Sequence, residues 1–152
     1  MEQRKYGRTV GCALSWVPLR PHHSVRRGVF MLRGIRGATT AQNTKASMRE
    51  ATVDLLQEMV AVNQLNPDQL AAAIFCVTPD LDALFPAAAA REMGWDHVPL
   101  LDHVSPAVPD ALARCIRVLL LWNTHHAQRD VHHVYQRSAR GLRPDLVEVK
   151  DK

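Results

Sequence analysis

Arg117 is the residue whose position in this chain most needs an explanation. It lies inside the run Arg114 to Trp122, which otherwise reads as a buried β-strand, and a guanidinium among apolar side chains is costly unless an anion meets it. An ion pair within the protein meets that cost, and so does a bound anion. Arg36 stands in the stretch MLRGIRGATT (31–40), and a planar guanidinium fork suits a carboxylate because it bonds both oxygens at once. Other chemistries find less support. Cys12, Cys76 and Cys115 form no CxxC pair. Cys76 sits in the apolar run Ala71 to Val77 and Cys115 beside Ile116, so both read as small core side chains. The doublets His125, His126 and His132, His133 have no Cys, Asp or Glu at a familiar ligand spacing. Adjacent histidines on a helix diverge by about 100 degrees, so they read as surface residues and no metal is expected.

The segments that must hold these side chains make the chain α/β in class. Phe30 to Arg36 alternates apolar and polar residues, as a strand ending at Gly37 would, and a spacing of three sends Arg33 and Arg36 to opposite faces. Asn43 or Thr44 caps a helix to Asn63 with Met48, Ala51, Leu55, Met59 and Val62 on one stripe. Asn66 caps a short turn with Pro67 at its first position, followed by a strand from Ala71 to Val77. A helix over Pro86 to Met93 stops at Gly94, and a strand over Val98 to Leu101 follows. Asp102 to Asp110, with Pro106 and Pro109, is expected to be a loop before the Arg114 to Trp122 strand. Thr124 then caps a helix over Ala127 to Arg137 with Val131, Val134 and Tyr135 on one face, and a last strand ends near Leu142.

Five blocks, taken in order, carry a further signal. MLRGIRGATT (31–40), TPDLDALFPAAAAREMGW (78–95), RCIRVLLLWNT (114–124), HVYQR (133–137) and LRPDL (142–146) together resemble the small monofunctional chorismate mutases of the AroH class. The resemblance implies a mixed sheet in a barrel-like fold, assembled as a homotrimer with a site in each cleft between subunits. It also implies the conversion of chorismate to prephenate, an intramolecular [3,3] shift that calls for no nucleophile, metal or cofactor. Such a catalyst holds a flexible dianion in its compact shape and aims cations at the ether oxygen, where negative charge grows.

By the same resemblance Arg36 holds the side-chain carboxylate of the substrate, Arg117 reaches the ether oxygen, and the Tyr135 hydroxyl helps hold that carboxylate. Arg91 and Arg143 match arginines near the site entrance and the closing C-terminal segment, and Phe85 matches an aromatic that packs on the ligand. Three positions depart from the family. Ala88 stands where a lysine is usual, Asp102 where a cysteine is, and Ser105 where a glutamate accepts a hydrogen bond from the ring hydroxyl. Asp102 or Ser105 itself is a candidate substitute acceptor.

Composition sets the remaining bounds. The 152 residues form one domain with an ordinary apolar content of 47%, and no apolar run approaches the roughly 20 residues that span a bilayer. The net charge of +4 is uneven: residues 1–30 carry +5, and residues 31–152, with thirteen basic and fourteen acidic side chains, carry −1. Neither a nucleic-acid nor a membrane partner is expected of the body. Residues 1–30 read as a basic, disordered extension before a domain at 31–152. The odd cysteine count fits a reducing, cytoplasmic compartment. The first reading is a chorismate mutase. The rivals are a diverged enzyme of the same fold acting on another anionic ring compound, and a non-catalytic trimer that binds a small acid.

Overall fold

A computed structural model describes residues 30–147; the basic extension, apart from Phe30, and Cys12 lie outside the described residues. Five strands and three helices run in the order β1 (Met31–Thr40), α1 (Lys45–Asn63), β2 (Leu70–Val77), α2 (Pro86–Glu92), β3 (Leu100–Val104), β4 (Cys115–Thr124), β5 (Val134–Tyr135) and α3 (Pro144–Val147). The strands form one mixed sheet in the order β3-β2-β4-β1-β5. β4 pairs antiparallel with both β1 and β2, while β3 and β5 join the two edges as parallel strands.

α1 packs on one face of this sheet because its sequence gives it a stripe and two ends. Met48, Ala51, Leu55 and Met59 are buried along it, together with Thr52, Leu56 and Asn63. Thr44 caps it by accepting the Ser47 N–H at 3.2 Å, and Gln64 closes it in the left-handed region at φ 49°. The central strands alternate between buried and half-buried residues as a result. Ile35, Phe75, Val118 and Leu120 meet α1 and α2 in the core, while their sequence neighbours face the other way. Close packing of α1 depends on Gly37, where a Cβ would collide with Met59 Sδ and stand 2.8 Å from Val118 Cγ1.

Several segments differ from the sequence reading. β1 continues through Gly37 to Thr40, because ten consecutive residues find partners on β4, from Met31 opposite Thr124 to Thr40 opposite Cys115. β3 begins at Leu100 and carries Asp102 to Val104, which pair with Phe75 to Val77; those three residues are strand, and the proline-bearing loop starts after them. The helix expected over Ala127 to Arg137 does not form. From Ala127 to Gln136 a single 3-10 turn, Gln128–Asp130, is helical, and the chain then extends into β5. Tertiary bonds outbid the periodicity: Asn63 both donates to the His132 carbonyl and accepts its N–H at 2.9 Å, drawing the segment out along α1. Tyr135 therefore sits on a strand beside Ala38. The final strand is replaced by a 3-10 stretch over Arg137–Leu142.

Candidate active site

Residues paired across neighbouring strands point to the same side of a sheet, so the register places the polar side chains of the half-buried face. Ala38 lies opposite Arg117, Arg117 opposite Cys76, and Cys76 opposite His103. Arg36 stands two residues before Ala38 on the same face, and Tyr135 joins from β5. Leu142 and Arg143, at the end of the last 3-10 stretch, cover the rim. These residues line a cavity of about 450 Å³ whose remaining wall is apolar, with Ile74 and Leu119 among its residues.

Electrostatics distinguish the arginines. Among the described residues no carboxylate lies within ion-pair distance of Arg36 or Arg117, although Arg117 is half-buried. The internal ion pair that sequence left open for Arg117 is not found among the described residues. Arg143 is held differently: Nε and Nη2 donate to the two carboxylate oxygens of Asp145 at 2.8 and 2.6 Å. This fork holds the Asp145 carboxyl below its usual range. Arg33, on the opposite face, donates through Nε to the His126 carbonyl.

The other candidates from sequence lie elsewhere. Phe85, strongly exposed, and Asp102 line a second cavity of about 310 Å³ on the α2 side of β3. Asp102 turns toward α2, and its carboxylate accepts the Ala87 N–H at 3.1 Å. It thereby caps a helix whose own N-cap, Phe85, offers no side-chain acceptor. Burial pushes the Asp102 carboxyl above its usual range, against the Ala87 hydrogen bond and the charge of Arg91. Arg91 is exposed on α2 and lines neither cavity, and Ala88 sits half-buried on the same helix. Ser105 is buried and continues the β2–β3 ladder. Its N–H and its Oγ both donate to the Val77 carbonyl, at 2.8 and 3.2 Å.

Two wall residues, Cys76 and His103, and one residue behind the wall, His133, had no site role in the sequence reading. Cys76 is half-buried in the cavity rather than in the core, whereas Cys115 is fully buried, and burial pushes its thiol up. His103 lines both cavities; strand alternation carried from Arg117 through Cys76 would have found it once β3 was extended past Leu101. His133 accepts the Arg36 backbone N–H through Nδ1. The remaining histidines are not gathered: the His125 ring lies against Phe30 and the His126 ring against Trp122.

A mixed five-stranded sheet with Arg36 and Arg117 facing an apolar hollow, neither in ion-pair reach of a carboxylate among the described residues, has the chemistry to suit a compact organic anion, and comparison with known proteins makes the family specific. Residues 32–146 match the family described as chorismate mutase type I, and the chain belongs to that family. It is 50% identical over 118 residues to chorismate mutase AroH of Thermus thermophilus, covering 76% of this chain and 97% of that protein. It is 38% identical over 124 residues to chorismate mutase AroH of Bacillus subtilis, covering 80% of this chain and 98% of that protein. Among solved structures, a chorismate mutase from Clostridium thermocellum superposes with a TM-score of 0.70 at 44% identity, over 71% of this chain and 97% of that one.

Proposed function

We propose that the arginine cavity converts chorismate to prephenate by positioning and electrostatics alone. Family membership makes the chain an isomerase of aromatic amino acid biosynthesis acting on chorismate. The observation that carries the mechanism is the pair Arg36 and Arg117, cations that face an apolar hollow with no carboxylate in ion-pair reach among the described residues. Arg36 with the Tyr135 hydroxyl holds one carboxylate of the substrate and keeps the chain folded over the ring. Arg117 donates to the ether oxygen, where charge develops as the C–O bond breaks, so its bond strengthens on the way to the transition state.

The proposal includes a barrel-like homotrimer with each site completed in the cleft between subunits. Two features support it. Phe85, Leu101, Val104 and Val108 are large, apolar and more than half exposed around the edge strand β3, a surface that calls for a covering partner. Within one chain Phe85 and Arg91 stand away from the cavity lined by Arg36 and Arg117, so a neighbour's copies are the ones able to join it. A cytoplasmic location fits the free thiols of Cys76 and Cys115. No helix among the described residues is long and apolar enough to cross a membrane. The domain is taken as 31–152, in keeping with a family match that starts at residue 32; deleting residues 1–30 should leave turnover and assembly intact.

A prephenate-formation assay beside thermal shift with chorismate tests the reading. Stabilisation with turnover supports it. Stabilisation without turnover points to a non-catalytic binder, and neither points to a diverged enzyme with another anionic ring substrate.

A further inference from the structure

Chorismate offers the cavity two carboxylates, an ether oxygen and one ring hydroxyl. The guanidinium groups of Arg36 and Arg117 suit the carboxylate and ether oxygens, but a guanidinium has no acceptor for the hydroxyl proton. Some other wall residue must supply one. Asp102 faces the other cavity, on the α2 side of the sheet, where its Oδ1 accepts the Ala87 N–H, and Ser105, whose Oγ donates to the Val77 carbonyl, is buried and lines neither cavity. The side-chain acceptors left in the wall are the Tyr135 phenol, the weakly accepting Cys76 thiol and the imidazole of His103. Tyr135 lies on the cation side, next to Ala38 on β1.

We propose that His103 receives the ring hydroxyl of the substrate and is the specificity-determining residue at that end of the cavity. The inference rests on the mutase reading above. Its geometry is that of one row across the sheet: His103 lies two strands from Arg117, through Cys76, roughly 10 Å at the usual strand spacing. A ring bound between them has its ether oxygen toward β4 and its hydroxyl toward β3. His103 Nδ1 stands 3.4 Å from the Val104 carbonyl; in the neutral tautomer that carries its proton on Nδ1 the ring donates there, and Nε2 is a bare acceptor. The imidazole supplies what the carboxylate that the family resemblance expects at position 105 would have supplied, from two residues earlier in the chain.

The test uses His103→Ala and His103→Gln in the full chain, with chorismate and its analogue lacking the ring hydroxyl. His103 is exposed, and size-exclusion chromatography checks that both variants assemble like the native protein. His103→Ala should lower kcat/KM for chorismate about 10-fold or more and leave the analogue unchanged. His103→Gln, whose amide oxygen accepts, should recover part of the loss. Unchanged turnover of chorismate in the alanine variant overturns the proposal, and so does an equal loss with both compounds. If the native protein forms no prephenate, the mutase reading falls on its own, and equilibrium binding decides His103. An affinity advantage for the hydroxylated compound that vanishes in His103→Ala sustains the role; an advantage that persists, or is absent in the native protein, removes it.

Discussion

His133 Nδ1 accepts the backbone N–H of Arg36 at 3.1 Å, so an imidazole from the segment before β5 fixes the strand residue that carries a site cation. A ring nitrogen can accept only while unprotonated. Burial lowers the His133 pKa below its ordinary 6.5, and the charges of Arg36, Arg143 and His132 act in the same direction.

The sign of the pH effect follows. As pH falls below the ordinary histidine value, the unfolded chain takes up a proton that folded His133 refuses, so folding stability drops; the drop stops growing once pH passes below the lowered folded-state value. Denaturant midpoints measured from about pH 8 down to 5 should fall across this window. His133→Asn, whose amide oxygen accepts without titrating, should flatten that slope. An unchanged slope in the variant would assign the pH dependence to another group.

Replacing Arg117 by Ala should reduce kcat by at least roughly 100-fold with the fold retained, because it removes one preorganised donor from a developing oxyanion. Arg117→Lys should restore only part of the rate, since a point charge lacks the planar fork. Near-native turnover in the alanine variant would strip Arg117 of its catalytic role.

Asp102 and Ser105 should separate cleanly. Asp102→Ala removes the side-chain cap of α2 and should cost about 1 kcal/mol of stability, read as a lower Tm with kcat/KM little changed. Ser105→Glu gives up the Oγ bond to Val77 and adds a longer acceptor at a position that continues the cavity-side alternation of Leu101 and His103. A charge-assisted bond to the ring hydroxyl expressed in the transition state would raise kcat/KM by up to roughly 10- to 100-fold. The gain should be larger in a His103→Ala background than in the native one, because both side chains then compete for one hydroxyl. Equal gains in the two backgrounds would show that they serve different groups.

Gly37→Ala tests how the helix positions the site. The added methyl has no room between Met59 and Val118, and overpacking of this kind typically costs about 1 to 3 kcal/mol. Relief by displacement of β1 carries Arg36 with it, so the expected signature is a lower Tm together with a raised KM. Met59→Ala in the same chain should recover part of both.

Much of the fold was legible where a local signal and the tertiary outcome agree. Thr44 and Pro67 start their helical turns as expected, and the Met48 to Met59 stripe faces the sheet. The segment 127–137 was misread because Val131, Val134 and Tyr135 satisfy a helical spacing by number alone. What decides that stretch is Asn63, some seventy residues away in sequence. At the site, the blocks that carry Arg36, Arg117, Tyr135 and Arg143 were visible and the fold gathers them. The direction of Asp102 was not, since one residue of strand length decides whether a side chain faces the cavity or α2. With β3 ended at Leu101, His103 was assigned to a loop and its facing was lost.

The Arg143 fork on Asp145 has a consequence for how the cavity is filled and emptied. Asp145 is a tethered competitor, present at an effective concentration that no dilution of the solution changes. A ligand carboxylate reaching Arg143 exchanges with another carboxylate rather than with water, so the swap conserves one ion pair and yields little net affinity. Monoanions gain nothing from it; a ligand already anchored at Arg36 brings its second carboxylate to the exchange at comparable local concentration. On the proposed reading substrate and product, both dianions, would leave by the reverse swap with Asp145 reclaiming its partner, so the rim arginine would admit a second carboxylate without holding the product back.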